Sequence, residues 1–222
     1  MKEIINHSKT TPPKLFKVLH RERLIETIEG YRDRKAILVL GQAAQGKSTF
    51  VASYCQKCKR NSAWINLTEE ESDPLNLFRL IVHSVQNALK KDDFSDLLKY
   101  VSADLGPREQ TPLFRRWAYY LVQRISSRVQ IILDGLERLS PDSSSFGLLE
   151  KLLEEADSKV RFVLLSRKEP PLNIQKLYMR REAAVIDNGQ LAFTIKETEA
   201  FFGNAGEKVY QKHRKFCLPT AA

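Results

Sequence analysis

The chain has 222 residues, of which 42% are hydrophobic and 28% are charged, and its formal net charge is +9. This composition is ordinary for a globular protein with a sizeable core, and it argues against global disorder. No apolar stretch approaches the roughly 20 residues that span a bilayer, and the amino terminus lacks the apolar region of a secretory signal. We therefore expect a cytoplasmic protein with no membrane partner.

Charge and cysteine content exclude few function classes by themselves. The basic residues are spread along the chain, which is more typical of a solvated surface or tail than of a nucleic-acid footprint. Three cysteines do not form a disulfide framework. Cys55 and Cys58 form a CxxC motif, but they share a helical face with Phe50, Val51 and Tyr54. This pattern favours buried structural cysteines over a redox or metal site.

The first part of the chain predicts an arm, a helix and a strand. Residues 1–15 contain two consecutive prolines and are expected to be irregular. Residues 15–30, LFKVLHRERLIETIEG, have helical spacing, with Gly30 at the carboxyl end. The continuous apolar run KAILVL, residues 35–40, is typical of a strand that is buried on both faces. A glycine-rich loop and a helix from about Lys47 follow.

The rest of the chain alternates strands and helices. SAWINL predicts a second strand, and Ser72 or Asp73 is expected to cap a helix that starts at Pro74. Residues 91–110 predict short helices and loop. TPLFRRWAYYLVQRIS, SSFGLLEKLLEEA and KETEAFFGN predict helices, whereas VQIILD, VRFVLLS and AAVIDNG predict strands. This alternation favours βαβ units and a parallel sheet that is covered on both faces.

The stretch GQAAQGKS, residues 41–48, fits the pattern G-x-x-x-x-G-K-[ST] at every fixed position. Glycine permits backbone angles and a close approach that a side chain would block. Successive N–H groups and the amino end of the following helix can then bind phosphate oxygens. Lys47 is expected to reach the β and γ phosphates, Ser48 to hold Mg²⁺ and Thr49 to contact the α phosphate region. The predicted nucleotide-binding residues of this loop are Gly41, Gln42, Ala43, Ala44, Gln45, Gly46, Lys47, Ser48 and Thr49.

Two later strands end in residues that suit phosphate and metal chemistry. Asp134 ends VQIILD, at the sheet edge where parallel sheets bind ligands, and it is expected to orient Mg²⁺. Glu137 is a candidate for positioning or deprotonating an attacking water, and the alternative is a solvated side chain. Arg167 follows VRFVLLS and is a candidate γ-phosphate sensor, with a surface arginine as the alternative.

Four stretches together resemble the STAND class of signal-transducing P-loop NTPases. They are VLHRERLIETI, GQAAQGKST, AWINLTEEESDPLNLFRLIVHSVQ and LLSRKEPPL, and they are similar to the nucleotide-binding domain of large bacterial LuxR-type regulators of the maltose-activator kind. The resemblance covers about residues 14–202. It implies that Arg21, or Arg23, lies near the nucleotide and that Arg167 reads the γ phosphate. LDGLERL resembles the related NACHT branch instead, because the maltose-activator branch often has a second acid where this chain has Gly135.

The resemblance implies a P-loop NTPase fold, a three-layer α/β/α sandwich with a mainly parallel sheet. We expect an amino-terminal arm and helix at residues 1–30, an NTPase core at 31–190, and the start of a helical lid with a basic tail at 191–222. Compared with the class, the chain is expected to be truncated before the lid and winged-helix domains. A truncation, a frameshifted end and an artificial boundary all fit the unusual tail.

The expected function is an ATP-binding, Mg²⁺-dependent switch domain of a signal-transduction or transcription regulator, with slow or absent hydrolysis by this chain alone. Lys47, Glu137 and Arg167 are the candidate catalytic residues, and Ser48 and Asp134 are the candidate metal ligands. ATP and ADP are the expected ligands, and other protein domains or self-association are further candidate partners. DNA is expected to be contacted only through domains that this chain lacks. The alternatives are a small-molecule P-loop kinase, and a nucleic-acid-binding or scaffold protein with a non-functional loop.

Overall fold

Strands and helices alternate along the chain. The computed structural model describes residues 7–16, 18–90, 94, 97 and 110–205. Its strands are β1 Ala36–Leu40, β2 Ser62–Asn66, β3 Val129–Asp134, β4 Val160–Ser166 and β5 Ala183–Ile186. Its helices are α1 Glu22–Gly30, α2 Lys47–Lys57, α3 Pro74–Leu89, α4 Gln110–Arg124, α5 Ser145–Glu155, α6 Gln175–Met179, α7 Asn188–Leu191 and α8 Ile195–Ala205. Single 3₁₀ turns occupy His7–Thr10, Glu69–Ser72 and Leu136–Arg138.

The described strands form one parallel sheet in the order β2-β3-β4-β1-β5. In the register of this sheet, Leu40 lies opposite Ser166, Asp134 lies opposite Leu165, and Asn66 lies opposite Asp134. The carboxyl ends of β1, β2, β3 and β4 therefore meet at one edge. This arrangement confirms the predicted α/β fold with a mainly parallel sheet.

Helices cover both faces of the sheet. Alternate residues of β1 point into opposite layers, since side chains alternate along a strand. Leu38 packs in the layer that contains Trp117 of α4, whereas Ile37 and Val39 pack in the layer that contains Tyr54 of α2. The predicted three-layer sandwich is confirmed by these two cores. Within the described ranges, no helix combines the length and apolarity needed to cross a bilayer.

The helix predicted for residues 15–30 is wrong at its start, because α1 begins only at Glu22. Its buried residues are Leu24, Ile25 and Ile28. Phe16, which extends the apolar pattern upstream, is 78% exposed. The earlier turn would therefore add little burial, and burial is what stabilises most protein helices.

The remaining element predictions hold with small shifts at the ends. Asp73, rather than Ser72, caps α3, because its carboxylate accepts a hydrogen bond of 2.7 Å from Leu75 N. Helix α4 ends at Arg124 and does not include the serines that follow. The short strand predicted at AAVIDNG is β5. The prediction for residues 91–110 falls mostly outside the described residues, and the predictions for residues 1–6 of the arm and for the basic tail from residue 206 onwards fall wholly outside them.

A buried polar cluster lies under α2, at the amino ends of the strands. The Tyr54 hydroxyl donates a hydrogen bond of 2.6 Å to Glu29 Oε1 and accepts one of 3.2 Å from Gln130 Nε2. It also accepts a hydrogen bond from Arg161 Nη2. Arg60 holds both oxygens of Glu29, at 2.9 and 2.8 Å. One phenol thus joins α1, α2, β3 and β4.

We expect Tyr54→Phe to lower the free energy of unfolding by about 1–3 kcal/mol, because it leaves buried polar groups without a partner. Urea unfolding followed by circular dichroism measures this loss. Tyr119→Phe is the matched control, since the Tyr119 side chain is 49% exposed and its substitution should change stability by less than about 0.5 kcal/mol. Equal stability of the two variants would contradict a stabilising role for the Tyr54 hydroxyl.

Candidate nucleotide-binding site

The segment from Gly41 to Ser48 runs from the end of β1 into the first turn of α2, and glycine is favoured at two of its positions. Gly46, the residue before α2, has a φ of 78°, in the left-handed region that favours glycine. A Cβ at Gly41 would lie 2.7 Å from both Gln45 Oε1 and Leu191 Cδ1. The Gly41 N–H donates a hydrogen bond of 3.1 Å to Ser166 O, which fixes the loop to the end of β4.

A polar cleft of about 330 Å³ opens beside this loop, at the carboxyl edge of the sheet. Most of the candidate site residues line it, and three further residues of the same edge do so as well. The lining residues are Ala43, Ala44, Gly46, Lys47, Ser48, Thr49, Asn66, Asp134, Gly135, Glu137, Arg138 and Arg167. The fold thus brings together loop and strand-end residues that lie more than a hundred positions apart. Gly41, Gln42 and Gln45 form the loop without lining the cleft.

Lys47 bends back over the loop. Its Nζ donates hydrogen bonds of 2.5 Å to Gly41 O and 3.0 Å to Gln42 O. Burial lowers the pKa of Lys47, and the nearby Arg167 adds to this effect, whereas Glu137 and Asp134 oppose it. The ammonium group is therefore held in a place where its charge is only partly compensated, which suits an anionic ligand.

Asp134 ends β3 beside Ser48. Burial raises the pKa of Asp134, and the charge of Glu137 raises it further. A hydrogen bond with Ser48 and the charges of Arg138 and Lys47 act in the opposite direction. A carboxylate and a hydroxyl oxygen are ligands that Mg²⁺ prefers, and a buried carboxylate gains from a neighbouring cation. Ser48 and Asp134 therefore fit a magnesium site.

Glu137 and Arg167 form an ion pair across the cleft. Arg167 Nε lies 3.0 Å from Glu137 Oε1, and the Arg167 N–H donates a hydrogen bond of 3.2 Å to Glu137 Oε2. The Glu137 side chain is 15% exposed, compared with 53% for Arg167. Glu137 is therefore held in place by the residue that follows β4, and its carboxylate is not simply solvated.

Gly135 lies at a position where the backbone conformation favours glycine over a residue with a side chain. Its φ is 95°, a backbone angle that side-chain-bearing residues rarely adopt, and a Cβ there would lie 3.2 Å from Arg138 Nε. The 3₁₀ turn that begins after Gly135 carries Glu137 towards Arg167. The glycine thus sets the position of the candidate base.

Arg21, which the resemblance placed near the nucleotide, does not line the cleft. Its guanidinium donates hydrogen bonds of 2.9 Å to Ala192 O and 3.1 Å to Glu197 Oε2, and it stacks 4.3 Å from the centre of the Phe193 ring. Arg23 contacts Ala192 and Glu197 as well. Both arginines fasten the segment before α8 to α1, and a role at the nucleotide stays a prediction.

Besides Gly135, two lining residues were not predicted from the sequence, Asn66 and Arg138. Arg138 follows Glu137 in the 3₁₀ turn and donates a hydrogen bond of 3.1 Å to Leu67 O. Asn66 ends β2, and its amide donates hydrogen bonds of 2.8 and 2.9 Å to the carbonyls of Ser8 and Thr11 in the arm. The available signal for Asn66 is its place as the last polar residue of the predicted strand SAWINL, since polar residues at carboxyl strand ends face the ligand edge.

Comparisons with known proteins agree with this architecture. A family model described as an AAA domain matches residues 30–170. The HTH-type transcriptional regulator MalT of Vibrio cholerae serotype O1 is 24% identical over 204 residues, which cover 87% of this chain and 21% of the regulator. The serine/threonine-protein kinase PknK of Mycobacterium tuberculosis is 22% identical over 191 residues, or 84% of this chain and 17% of the kinase. This chain thus spans about a fifth of the length of the curated relatives it matches.

A solved structure shows the same fold. A chain from the structure of Drosophila ORC bound to DNA aligns with a TM-score of 0.50 and 19% identity, covering 88% of this chain and 49% of that one. At this level of identity the likeness concerns the fold alone.

The raised pKa of Asp134 predicts that its charge costs stability when no cation is bound. A carboxyl with a higher pKa in the folded than in the unfolded state makes stability fall as the pH rises through the folded-state value. At pH 7 without metal or nucleotide, we therefore expect Asp134→Asn to melt at a higher temperature than the wild type. The difference should shrink as the pH falls towards the unfolded-state pKa.

Thermal unfolding in EDTA between pH 5 and 8 measures this effect, with the exposed Asp142→Asn as the control variant. A lower melting temperature for Asp134→Asn at every pH would contradict it, because the carboxylate would then stabilise the apo fold through its hydrogen bonds.

Proposed function

Because the chain belongs to the AAA domain family, we propose that it binds ATP with Mg²⁺ and acts as a slow nucleotide switch. The observation that supports this proposal is the convergence of the Gly41–Ser48 loop, Asp134 and Arg167 on one cleft. Loop N–H groups and the amino end of α2 provide donors for phosphate oxygens. The cleft also contains the cationic and anionic side chains that nucleotide and metal require.

In the proposed binding step, three loop residues and Asp134 contact the nucleotide or the metal. Lys47 would exchange the carbonyls of Gly41 and Gln42 for the β and γ phosphates, and Thr49 would contact the α phosphate region. Ser48 and Asp134 would hold Mg²⁺, which neutralises phosphate charge when bound. Burial disfavours both charged side chains without a ligand. Bringing opposite charges to Lys47 and Asp134 therefore contributes to the affinity.

The switch step rests on the ion pair between Glu137 and Arg167. The γ phosphate of ATP would compete with Glu137 for the Arg167 guanidinium, whereas ADP has no such group and would leave the pair intact. A guanidinium group binds phosphate and carboxylate by the same planar arrangement of N–H groups. The γ phosphate can therefore replace the Glu137 carboxylate as the partner of Arg167. Release from Arg167 would also free the Glu137 carboxylate to orient a water molecule. The two nucleotides thus favour different contacts at one place, as a switch requires.

We further propose that another protein domain or a second copy of the chain reads this difference. The two relatives named above are a transcriptional regulator and a protein kinase, and the segment similar to this chain is about a fifth of each. A segment that is shared between proteins of different output is suited to a switch rather than to one particular substrate.

Lys47→Ala should weaken Mg²⁺-ATP binding at least tenfold, because it removes charge-assisted hydrogen bonds to the phosphates. Isothermal titration calorimetry on the purified chain measures the affinity. Lys168→Ala, an exposed lysine outside the cleft, is the matched control and should bind like the wild type. Binding of ATP that survives Lys47→Ala unchanged would contradict a phosphate-binding role for the loop, whereas DNA binding that needs no nucleotide and survives the substitution would favour the scaffold alternative.

Arg167→Ala should reduce the affinity for ATP about tenfold and leave that for ADP within about threefold, since only the γ phosphate contacts this residue in the proposed state. Competition calorimetry with both nucleotides measures the ratio. The exposed Arg180→Ala is the control and should preserve it. Equal losses for ATP and ADP would rule out γ-phosphate sensing by Arg167.

The same wild-type samples test the slow-switch part of the proposal. We expect phosphate release below about 1 s⁻¹ with saturating Mg²⁺-ATP, slower than most enzymes. Turnover clearly above that rate would identify the chain as an ordinary ATPase.

A further inference from the structure

We propose that a second cleft, at the amino edge of the sheet, binds a small molecule that carries one or more phosphate groups. This amino-edge cleft has a volume of about 610 Å³ and is formed by the segments that lead into β1, β2, β3, β4 and β5. It lies at the opposite ends of the strands from the Gly41–Ser48 loop, about 20 Å away for strands of this length. Its size is typical of small-molecule sites.

The amino-edge cleft has a surplus of positive charge. Seven basic and four acidic side chains line it. Each acid already has a basic partner within 4 Å, because Glu29 pairs with Arg60, Glu182 with Lys35, Asp157 with Lys159 and Asp33 with Arg32. The three remaining bases are Arg34, Arg128 and Arg161. None of these three has an ion-pair partner among the residues that the structure describes.

Arg161 is the most informative of these three bases, because it is buried. It lies near the start of β4 and is only 8% exposed. Its guanidinium donates a hydrogen bond to the neutral Tyr54 hydroxyl, whereas both oxygens of Glu29 accept hydrogen bonds from Arg60. Buried charges in proteins are normally paired, since desolvation without a partner is costly. A cleft that keeps a guanidinium at its wall in this state is suited to an anion.

Two further atoms in the amino-edge cleft lack a partner. Arg60 Nε and Glu182 Oε2 are buried and make no hydrogen bond within the described part of the chain. Both atoms belong to residues that line the same cleft as Arg161. A ligand with phosphate oxygens and a hydroxyl or amino group would satisfy both the donor and the acceptor.

Favourable interactions with helix dipoles can explain some of the basic side chains in the amino-edge cleft, but not Arg161. The carboxyl ends of α1 and α2 lie near this edge, and cations are favourable beside the partial negative charge of helix ends. That effect suits Arg60, which follows α2. Arg161 is inside a strand, on a buried surface, where a helix end does not require a cation.

A small ligand suits the amino-edge cleft better than nucleic acid. The phosphates of a duplex lie on a broad convex surface and are contacted by exposed side chains. Reaching the buried Arg161 requires a group that enters the concavity. A phosphate ester or pyrophosphate can do so, and its charge matches the three unpaired arginines.

Titration of the full ¹⁵N-labelled chain with inorganic pyrophosphate in EDTA, followed by NMR, tests this proposal. We expect saturable shifts of the backbone amides of Asn61, Gln130 and Ser158, which line the amino-edge cleft. The apparent dissociation constant from these amides should be unchanged in Lys47→Ala, because that variant alters only the loop at the other edge. Failure of the nucleotide proposal would leave these shifts intact, so the two proposals fail separately.

Arg34→Ala and Arg128→Ala should each raise that dissociation constant about tenfold, as expected for one lost charge-assisted contact. Arg161→Gln should raise it more, and the two less buried variants keep the test valid if Arg161→Gln fails to fold. Arg180→Ala, an exposed arginine outside both clefts, is the matched control and should not change it.

Three outcomes would overturn the proposal. The first is the absence of shifts at these amides up to about 10 mM pyrophosphate, a concentration far above the dissociation constants of specific small-molecule sites. The second is a dissociation constant that is equal in wild type, Arg34→Ala and Arg128→Ala. The third is a 20-base-pair DNA duplex that shifts the same amides at lower concentration with a steep salt dependence, which would identify a nucleic-acid surface instead.

Discussion

The parallel alignment of β1, β3 and β4 is the constraint on which the carboxyl-edge cleft depends. Parallel neighbours in register put all their carboxyl ends at one edge, so the loop after β1, Asp134 and Arg167 meet although the chain separates them widely. The Gly41 N–H bonded to Ser166 O extends the ladder by one step into the loop. If β1 paired elsewhere, the loop would keep its glycines but lose the carboxylate and the arginine that complete the cleft.

The parts of this arrangement that were predictable are those that a local pattern determines. Apolar runs of four to six residues between polar segments predict buried strands, and a strand followed by G-x-x-x-x-G-K-S predicts the loop. The start of α1 was missed because helical spacing upstream of Glu22 is present in the sequence, whereas the absence of burial for Phe16 is a tertiary fact. Sequence also suggested Glu137 and Arg167 separately. Their ion pair could not be predicted, since it depends on how a 3₁₀ turn meets a strand end.

Burial shifts the pKa values of Lys47 and Asp134 in opposite directions, but both shifts disfavour the charged form. It lowers the pKa of Lys47 and raises that of Asp134, so it disfavours the ionised form of both. Their opposite charges compensate each other only in part. Arg167 repels the positive charge of Lys47, and Glu137 repels the negative charge of Asp134. The apo cleft therefore keeps some unfavourable electrostatic energy, which suits a binding site and would be a defect in a purely structural core.

The same two elements connect both edges of the sheet. Helix α2 begins at Lys47 and contains Tyr54, which contacts Arg161, while β4 carries Arg161 near its start and leads directly to Arg167. A ligand at one edge can influence the other only if some element between them has two arrangements that the ligands favour differently. Strand β4 is poorly suited to this role, because its register is fixed by pairing with β1 and β3 on its two sides. The Glu137–Arg167 pair is better suited, since it is partly exposed and its partners can exchange. Any coupling would have to be reciprocal, so an anion at the amino edge that favours one state of this pair would change nucleotide affinity by the same factor that nucleotide changes anion affinity.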